Sequence, residues 1–408
     1  MEEWKEYRLG DIIAIKSGFA YKGDMIGYGE NILLGMGCVS FKERFLLSGA
    51  RAYAGDCADR YCANSGDIVL ATRQQSDNLP ILGMPAIIPN ELSEKRIIIG
   101  ANLYRVDNES DFSNEYIYWL LKTPLYVNHI RSCQSGTTVR MITKANIEDF
   151  RFKAPGRKER DRISSFLKTL DDKIELNRQI NDNLEQQAQA LFKSWFVNFE
   201  PFKDSEFVES ELGLIPQGWR VESLSSIADY INGLAMQKYR PAEDETGLPV
   251  LKIKELGQGC CDDNSELCSP SLIGEKYIID DGDIIFSWSG TLMVKIWCGG
   301  KCGLNQHLFV VKPYNAPKWF AYQWTKHHLD NFIQIAKDKA VTMGHIKRGE
   351  LDKAKVLVPD KDNLAKISSL MIPIHRQIIS RKIESRRLSS LRDTLLPRLM
   401  SGMLTSMK

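Results

Sequence analysis

The stretch Leu170 to Phe196, LDDKIELNRQINDNLEQQAQALFKSWF, contains neither glycine nor proline and is rich in Asn and Gln. The missing residues are the two that most disfavour a helix interior. Extended upstream, its apolar positions fall at Ile163, Leu167, Leu170, Ile174, Leu184, Ala188, Leu191 and Trp195, with Asn177 and Asn181 in the middle. That 4-3-4-3 spacing is the seam of a coiled coil. The same spacing recurs near the C-terminus at Ile367, Met371, Ile374, Ile378, Arg381, Ser385, Leu388, Arg392, Leu395 and Leu399. Polar residues interrupt both seams at the centre. At such positions they cost stability and fix register and partner choice. The simplest cover for each stripe is the other helix, and two helices joined through a whole domain can run antiparallel. Packing of each helix on its own domain is the competing arrangement, but the stripe is longer than one small domain needs.

Bulk properties set the frame for this pair. A chain of 408 residues exceeds one comfortable core, so two or three domains are expected. Hydrophobic residues make up 43% and charged residues 26%, as in ordinary globular proteins. No apolar run reaches the ~18 residues of a membrane span, and Met1-Glu2-Glu3-Trp4-Lys5 is not a signal peptide. A cytoplasmic protein with reduced thiols is the expectation, which makes the nine cysteines packing residues. Net charge of +2 gives no lead on partners.

The chain also repeats itself, which is the first thing to test in a sequence of this length. EWKEYRLGDIIAIKSGFA at the N-terminus aligns with QGWRVESLSSIADYINGLA from Gln217, placing Trp4 on Trp219 and Gly18 on Gly233. NSGDIVLATR (Asn64 to Arg73) aligns with DDGDIIFSWS (Asp280 to Ser289), each a Gly-Asp turn feeding a buried strand. GANLYRV from Gly100 aligns with NQHLFVV from Asn305, and SGTTVRMITKANIEDFRFKAP with DKAVTMGHIKRGELDKAKVLVP. From there the two halves keep a constant offset through the helical seams. The predicted organisation is domain 1–156, helix 157–200, linker 201–217, domain 218–359 and helix 360–408. The fold class is α+β: two similar α/β domains, each with one amphipathic helix (Ser113 to Val127, Pro317 to Ile335), separated by two long antiparallel coiled-coil helices with pseudo-two-fold internal symmetry.

RISSFLKTL followed by LDDKIELN…LFKSWF resembles the central conserved helix of the specificity subunit of type I restriction–modification enzymes. KISSLMIPIHRQIISRKIESRRLSSLRDTLLPRLMSGML is similar to the distal conserved helix of that family, and WKEYRLGDIIAIKSG and GWRVESLSSIADYINGLA resemble the openings of its two target-recognition domains. The resemblance covers essentially the whole chain. It implies a subunit without catalytic activity, in which each recognition domain reads one half of a split, asymmetric DNA sequence in a restriction system. The helices act as a ruler: about 40 helical residues span roughly 60 Å, more than a DNA turn of ~34 Å. It further implies two modification subunits that bind S-adenosylmethionine and methylate adenine at N6. Restriction subunits using ATP and Mg join them, and no cofactor is bound by this chain. Three departures carry expectations of their own. Pro373 should kink the distal helix or move its start to Ile374. The first domain opens almost at residue 1, so no preceding segment is expected to pack on that helix. Leu399-Met400 stand where the central helix has Trp195-Phe196, so the two docking sites should be uneven.

For DNA contact the segments after the Gly-Asp strands stand out. Thr72, Arg73, Gln74 and Gln75 in the first domain, and Ser287, Trp288, Ser289 and Thr291 in the second, carry groups suited to base edges or phosphates. A second pair of segments supplies Thr137, Thr138 and Arg140, and Lys347 and Arg348. The competing reading is ordinary surface turns. Residues Asp360 to Lys408 hold ten Lys+Arg against four Asp+Glu, which suits DNA phosphate, a solvated face or, as preferred here, a modification subunit. Of Cys260, Cys261, Cys268, Cys298 and Cys302, only the last two have metal-like spacing, and no metal site is expected from them. Neither a proline-proline-aromatic base-gripping motif nor a Walker A loop is present, so no catalytic residue is assigned. The alternatives are a fused adenine methyltransferase or nuclease with unrecognised motifs, and a coiled-coil adapter without a DNA role.

Overall fold

The computed structural model describes residues 4–75, 80–136, 138–314, 316–338 and 346–404. The chain divides into two compact units, Met1–Asp172 with Ser389–Lys408, and Lys173–Leu388. Each contains one mixed domain and segments of both long helices.

The repeat read in the sequence is a repeat of topology. In the first domain, strands Ile13–Ser17, Leu103–Asn108, Ile68–Ala71 and Pro85–Ile87 form, in that order, a sheet in which every pair is antiparallel. In the second, Ala228–Asn232, Leu308–Pro313, Ile284–Ser287 and Met293–Ile296 do the same. A second sheet in each domain has a parallel central pair, Ile26–Leu34 with Ile97–Ile99 and Leu248–Leu251 with Cys302–Leu304. The first strand of each domain pairs antiparallel with the last, Lys5–Arg8 with Arg151–Ala154 and Arg220–Ser223 with Lys355–Val358.

Local chemistry explains the shared frame. Asp67 and Asp283 each accept a backbone N–H three residues upstream, from Asn64 at 2.8 Å and Asp280 at 3.1 Å. Gly66 and Gly282 hold the left-handed backbone this turn needs, at φ of 87° and 88°. The chain then enters strands whose residues are all buried, as expected for a sheet covered on both faces. Gly18 and Gly233 serve close approach: a Cβ there would lie 2.1 Å and 2.3 Å from the backbone oxygens of Gly100 and Asn305.

Each single helix expected inside a domain is two. Asn114–Leu120 is followed by Pro124–Cys133, and Lys318–His327 by Leu329–Asp338. In the first domain the break is chemical. Pro124 keeps Thr123 out of the helical region, and the Thr123 hydroxyl caps the new helix by accepting from Tyr126 N–H. The expected linker 201–217 is a hairpin, Phe207–Ser210 paired with Gly213–Pro216.

The long helices are Arg157–Phe196 and Lys361–Met400. The distal helix runs continuously through Pro373 and so does not begin at Ile374. Ser369 and Pro373 are both exposed, so the missing hydrogen bond lies on the solvent side of the helix. Antiparallel pairing shows in each unit separately. In the first, Ile163 and Leu167 share a core with Leu396, Leu399 and Met400, and Asp171 meets Arg392. In the second, Lys173 and Asn177 meet Glu384, and Phe192 and Phe196 share a core with Ile367 and Met371.

The cover of the apolar stripes differs from the expectation. Towards their ends the helices pack on the mixed domains as well as on each other. Ile163 and Leu167 lie among Trp119, Phe112 and Phe152, and Phe192 and Phe196 among Trp319, Phe320 and Trp324. The buried line accordingly leaves the ideal seam. Phe192 and Phe196 are buried while Leu191 and Trp195 are half-buried, and His375 and Leu396 replace Ile374 and Leu395. Leu170, Ile174, Leu184 and Leu388 are also only partly covered. The middle is polar. Asn177, fully buried, donates to Glu384 at 2.8 Å and accepts from Arg381 at 3.2 Å. A slipped register would strand this amide, which is how such residues fix pairing.

Trp4 and Trp219 mark the repeat at the helix ends. A Cβ on Gly402, just past the distal helix, would come within 2.8 Å of the Trp4 indole. The domain opening at Trp4 therefore lies against the chain just past the distal helix. Trp219 packs 5.5 Å from Phe196 and 5.1 Å from Phe202.

Candidate nucleic-acid interface

In both domains the chain leaves the buried Gly-Asp strand and is caught by the same contact. Thr72 O accepts Ile142 N–H at 3.2 Å, and Trp288 O accepts Ile346 N–H at 3.1 Å. This brings the two candidate segments of each domain together at one sheet end.

In the first domain Arg73–Gln74 pairs with Arg140–Met141. Strand alternation then divides the candidates. Arg73 and Gln75 are exposed, whereas Gln74 is buried with its amide oxygen accepting Leu82 N–H at 3.3 Å. Thr72 is buried too, its N–H donated to Asn102 O at 3.1 Å. Thr72 and Gln74 are corrected from contact candidates to supports. Thr138 is exposed and Arg140 half-buried, while Thr137 lies outside the described residues. Tyr104 sits beside Arg73: burial raises its phenol above the ordinary value and the Arg73 charge opposes that rise. Lys144 Nζ lies 5.9 Å from the centre of the same ring. Sequence reasoning missed Tyr104 and Lys144, which belong to no motif; the fold brings both to Arg73, forming a cationic rim around an aromatic face.

In the second domain Ser287 and Ser289 are buried and likewise become supports. Ser287 Oγ donates to Ser289 O at 3.2 Å, folding the turn onto itself. Trp288 is half-buried and Thr291 exposed. Lys347 is exposed. Arg348 is anchored, donating to Tyr230 O at 2.7 Å with Asp229 at 3.8 Å. Residues 339–345, which held the rest of this candidate segment, lie outside the described residues.

The cysteines of interest are structural in placement. Cys268, Cys298 and Cys302 are buried free thiols, and desolvation holds the thiols of Cys268 and Cys298 up at about 11. Among the described residues no group of three His, Cys, Asp or Glu is placed to hold a metal, and none of the described helices is long and apolar enough to cross a membrane.

The exposed pair Arg73 and Gln75 carries a direct prediction. Replacing both by Ala should weaken binding of the assembled complex to its cognate site far more than to random DNA, since base contacts carry sequence information and phosphate contacts do not. Filter binding at fixed salt on both DNAs measures this, and equal losses on the two would remove the base-reading role.

Two mixed domains of one topology with unlike residues at matching sheet ends, each packed on segments of both long helices, form a duplicated frame. The chain belongs to the family described as the type I restriction modification DNA specificity domain, whose sequence model matches residues 1–186 and 216–385. It is 27% identical to the type I restriction enzyme MjaIX specificity subunit of Methanocaldococcus jannaschii, over 71% of this chain and 68% of that one. It is 23% identical to the HindI specificity subunit of Haemophilus influenzae, over 98% of this chain and all of the relative. Among solved structures, the S subunit of a type I restriction-modification system from M. genitalium matches its fold with a TM-score of 0.54 at 14% identity, covering 98% of this chain and 96% of that one.

Proposed function

We propose that the chain is the DNA sequence-specificity subunit of a type I restriction–modification complex and is itself non-catalytic. Each mixed domain reads one half of an asymmetric, split site. The observation that carries this is the family match over both repeats together with the divergence of matching sheet-end positions: exposed Gln75 against exposed Thr291, exposed Arg73 against buried Ser289, and buried Thr72 against half-buried Trp288. A retained frame with exchanged rim chemistry is what two unlike base patterns require. The long helices set the gap and dock two modification subunits, which supply S-adenosylmethionine and methylate adenine. Restriction subunits supply ATP- and Mg-dependent chemistry. Double-stranded DNA and these subunits are the partners, and the complex works in the cytoplasm.

Methylome sequencing of a host expressing the chain with its modification subunit tests this. The expected result is adenine methylation in a bipartite motif with two different halves separated by unspecified bases. A single unbroken motif, or methyl transfer by the purified chain alone, would overturn the reading.

A further inference from the structure

At the rim of the second domain three strand ends converge, because Ala228–Asn232, Leu308–Pro313 and Ile284–Ser287 are sheet neighbours. They bring together Asn232, Trp288, Ser289, Gln306 and His307. Trp288 Nε1 donates to Asn232 Oδ1 at 3.0 Å, and its ring centre lies 5.7 Å from Phe309 and 6.2 Å from His307. His307 Nδ1 is 3.1 Å from Ser289 Oγ, and His307 Nε2 is 3.4 Å from Gln306 Nε2. Gln306 Oε1 is buried and has no hydrogen-bond partner among the described residues. His307 is exposed.

We propose that the Gln306 carboxamide N–H reads a purine edge in one half-site, with His307, Trp288 and Asn232 as positioning residues that hold it. The proposal rests on the reading of the chain as a DNA-specificity subunit. The Gln306 Nε2 amide has two N–H groups: one is given to His307 Nε2, and the other can donate to a purine N7 or guanine O6 in the major groove. Such contacts discriminate only when the side chains are held before the DNA arrives. Here the Trp288 indole, fixed by Asn232 and backed by Phe309, is the rigid wall, and Ser289 orients the imidazole.

The obvious competitor is a knot of loops needed for folding. The first domain answers it. Its matching positions are Ser17, Thr72, Arg73, Ala101 and Asn102, and the same sheet order closes there without an indole, imidazole or carboxamide at most of them. The fold therefore does not require this cluster.

The test uses the assembled complex with its modification subunits, and methylation of a randomised DNA library is sequenced for wild type, Gln306→Ala, His307→Ala and the isosteric Gln306→Glu. Wild type giving a bipartite motif upholds the subunit assignment whatever the variants do. The proposal expects the two Ala variants to lose roughly ten-fold of discrimination at one or two positions of one half only, with the other half unchanged. Gln306→Glu, which only accepts, should shift preference at its position towards cytosine, whose N4 donates. An unchanged motif in all variants, or equal loss across both halves, overturns the proposal and leaves the subunit assignment standing.

Discussion

Asp171→Ala is expected to destabilise the first unit by about 3–5 kcal/mol, the range for breaking a buried ion pair by removing one partner. Asp171 lies on the central helix with its side chain 5% exposed, and its Oδ1 is 2.6 Å from Nη1 of Arg392, itself 9% exposed. Arg44 Nη1 approaches the other carboxylate oxygen at 3.7 Å. Both guanidiniums also lie against rings, Arg392 6.0 Å from the centre of Trp119 and Arg44 4.7 Å from that of Tyr118. Removing the carboxylate leaves Arg392 and Arg44 as like charges in a desolvated site, with Glu115 and Asp393 as partial compensation. The double replacement Asp171→Leu with Arg392→Met should recover most of the loss, because well-packed apolar groups often replace a buried pair at little net cost. Urea unfolding of the full chain measures both. A loss under about 1 kcal/mol for the single variant would show that the pair does not join helix to helix as described.

Phe196→Ala should be comparably severe in the second unit, about 3–5 kcal/mol for emptying a buried phenylalanine site. The ring is 2% exposed and lies 5.0 Å from Phe192, 5.5 Å from Trp219, 5.7 Å from Phe320 and 5.6 Å from Trp324. These rings come from the central helix, the residue just before the strand that opens the domain, and a helix inside it. No single neighbour can move to fill the space without disturbing the rest. Phe196→Leu, which keeps much of the volume, should lose clearly less. The same urea series decides it, with amide hydrogen exchange at Lys318–His327 reporting local loosening. If Ala and Leu variants unfold at the wild-type midpoint, Phe196 does not tie helix to domain.

The two variants also show where sequence reasoning stopped. A strict heptad places Leu170 and Trp195 on the seam and leaves Asp171 and Phe196 beside it. The helix keeps its period, but near its ends its partner is a domain surface, and the buried line rotates by one residue to face it. Periodicity reports that a face is buried; it does not report against what. The distal helix begins before Pro373 for a related reason, since the cost of a proline depends on which side of the helix the lost hydrogen bond faces.

Within the recognition domains, Gly-Asp turns were legible because each is made by four neighbouring residues. The candidate segments lie at a sheet end, and four of the twelve described candidates, Thr72, Gln74, Ser287 and Ser289, are buried there. Strand alternation decides this, and the short strand Arg73–Gln74 exists only through pairing with Arg140–Met141. Lys144, Tyr104, Asn232 and His307 had no signal to find.

What the sequence determined by itself is the duplication, the two long helices and their polar centres, because these are written in local period and in ordered blocks. The tertiary structure alone decided which helix face is buried at each end, which rim residues point outward and which distant side chains meet. Asn232 lies 56 residues from Trp288, and Asp171 lies 221 from Arg392. Contacts across such separations arise from sheet pairing and helix packing, which no short window of sequence contains.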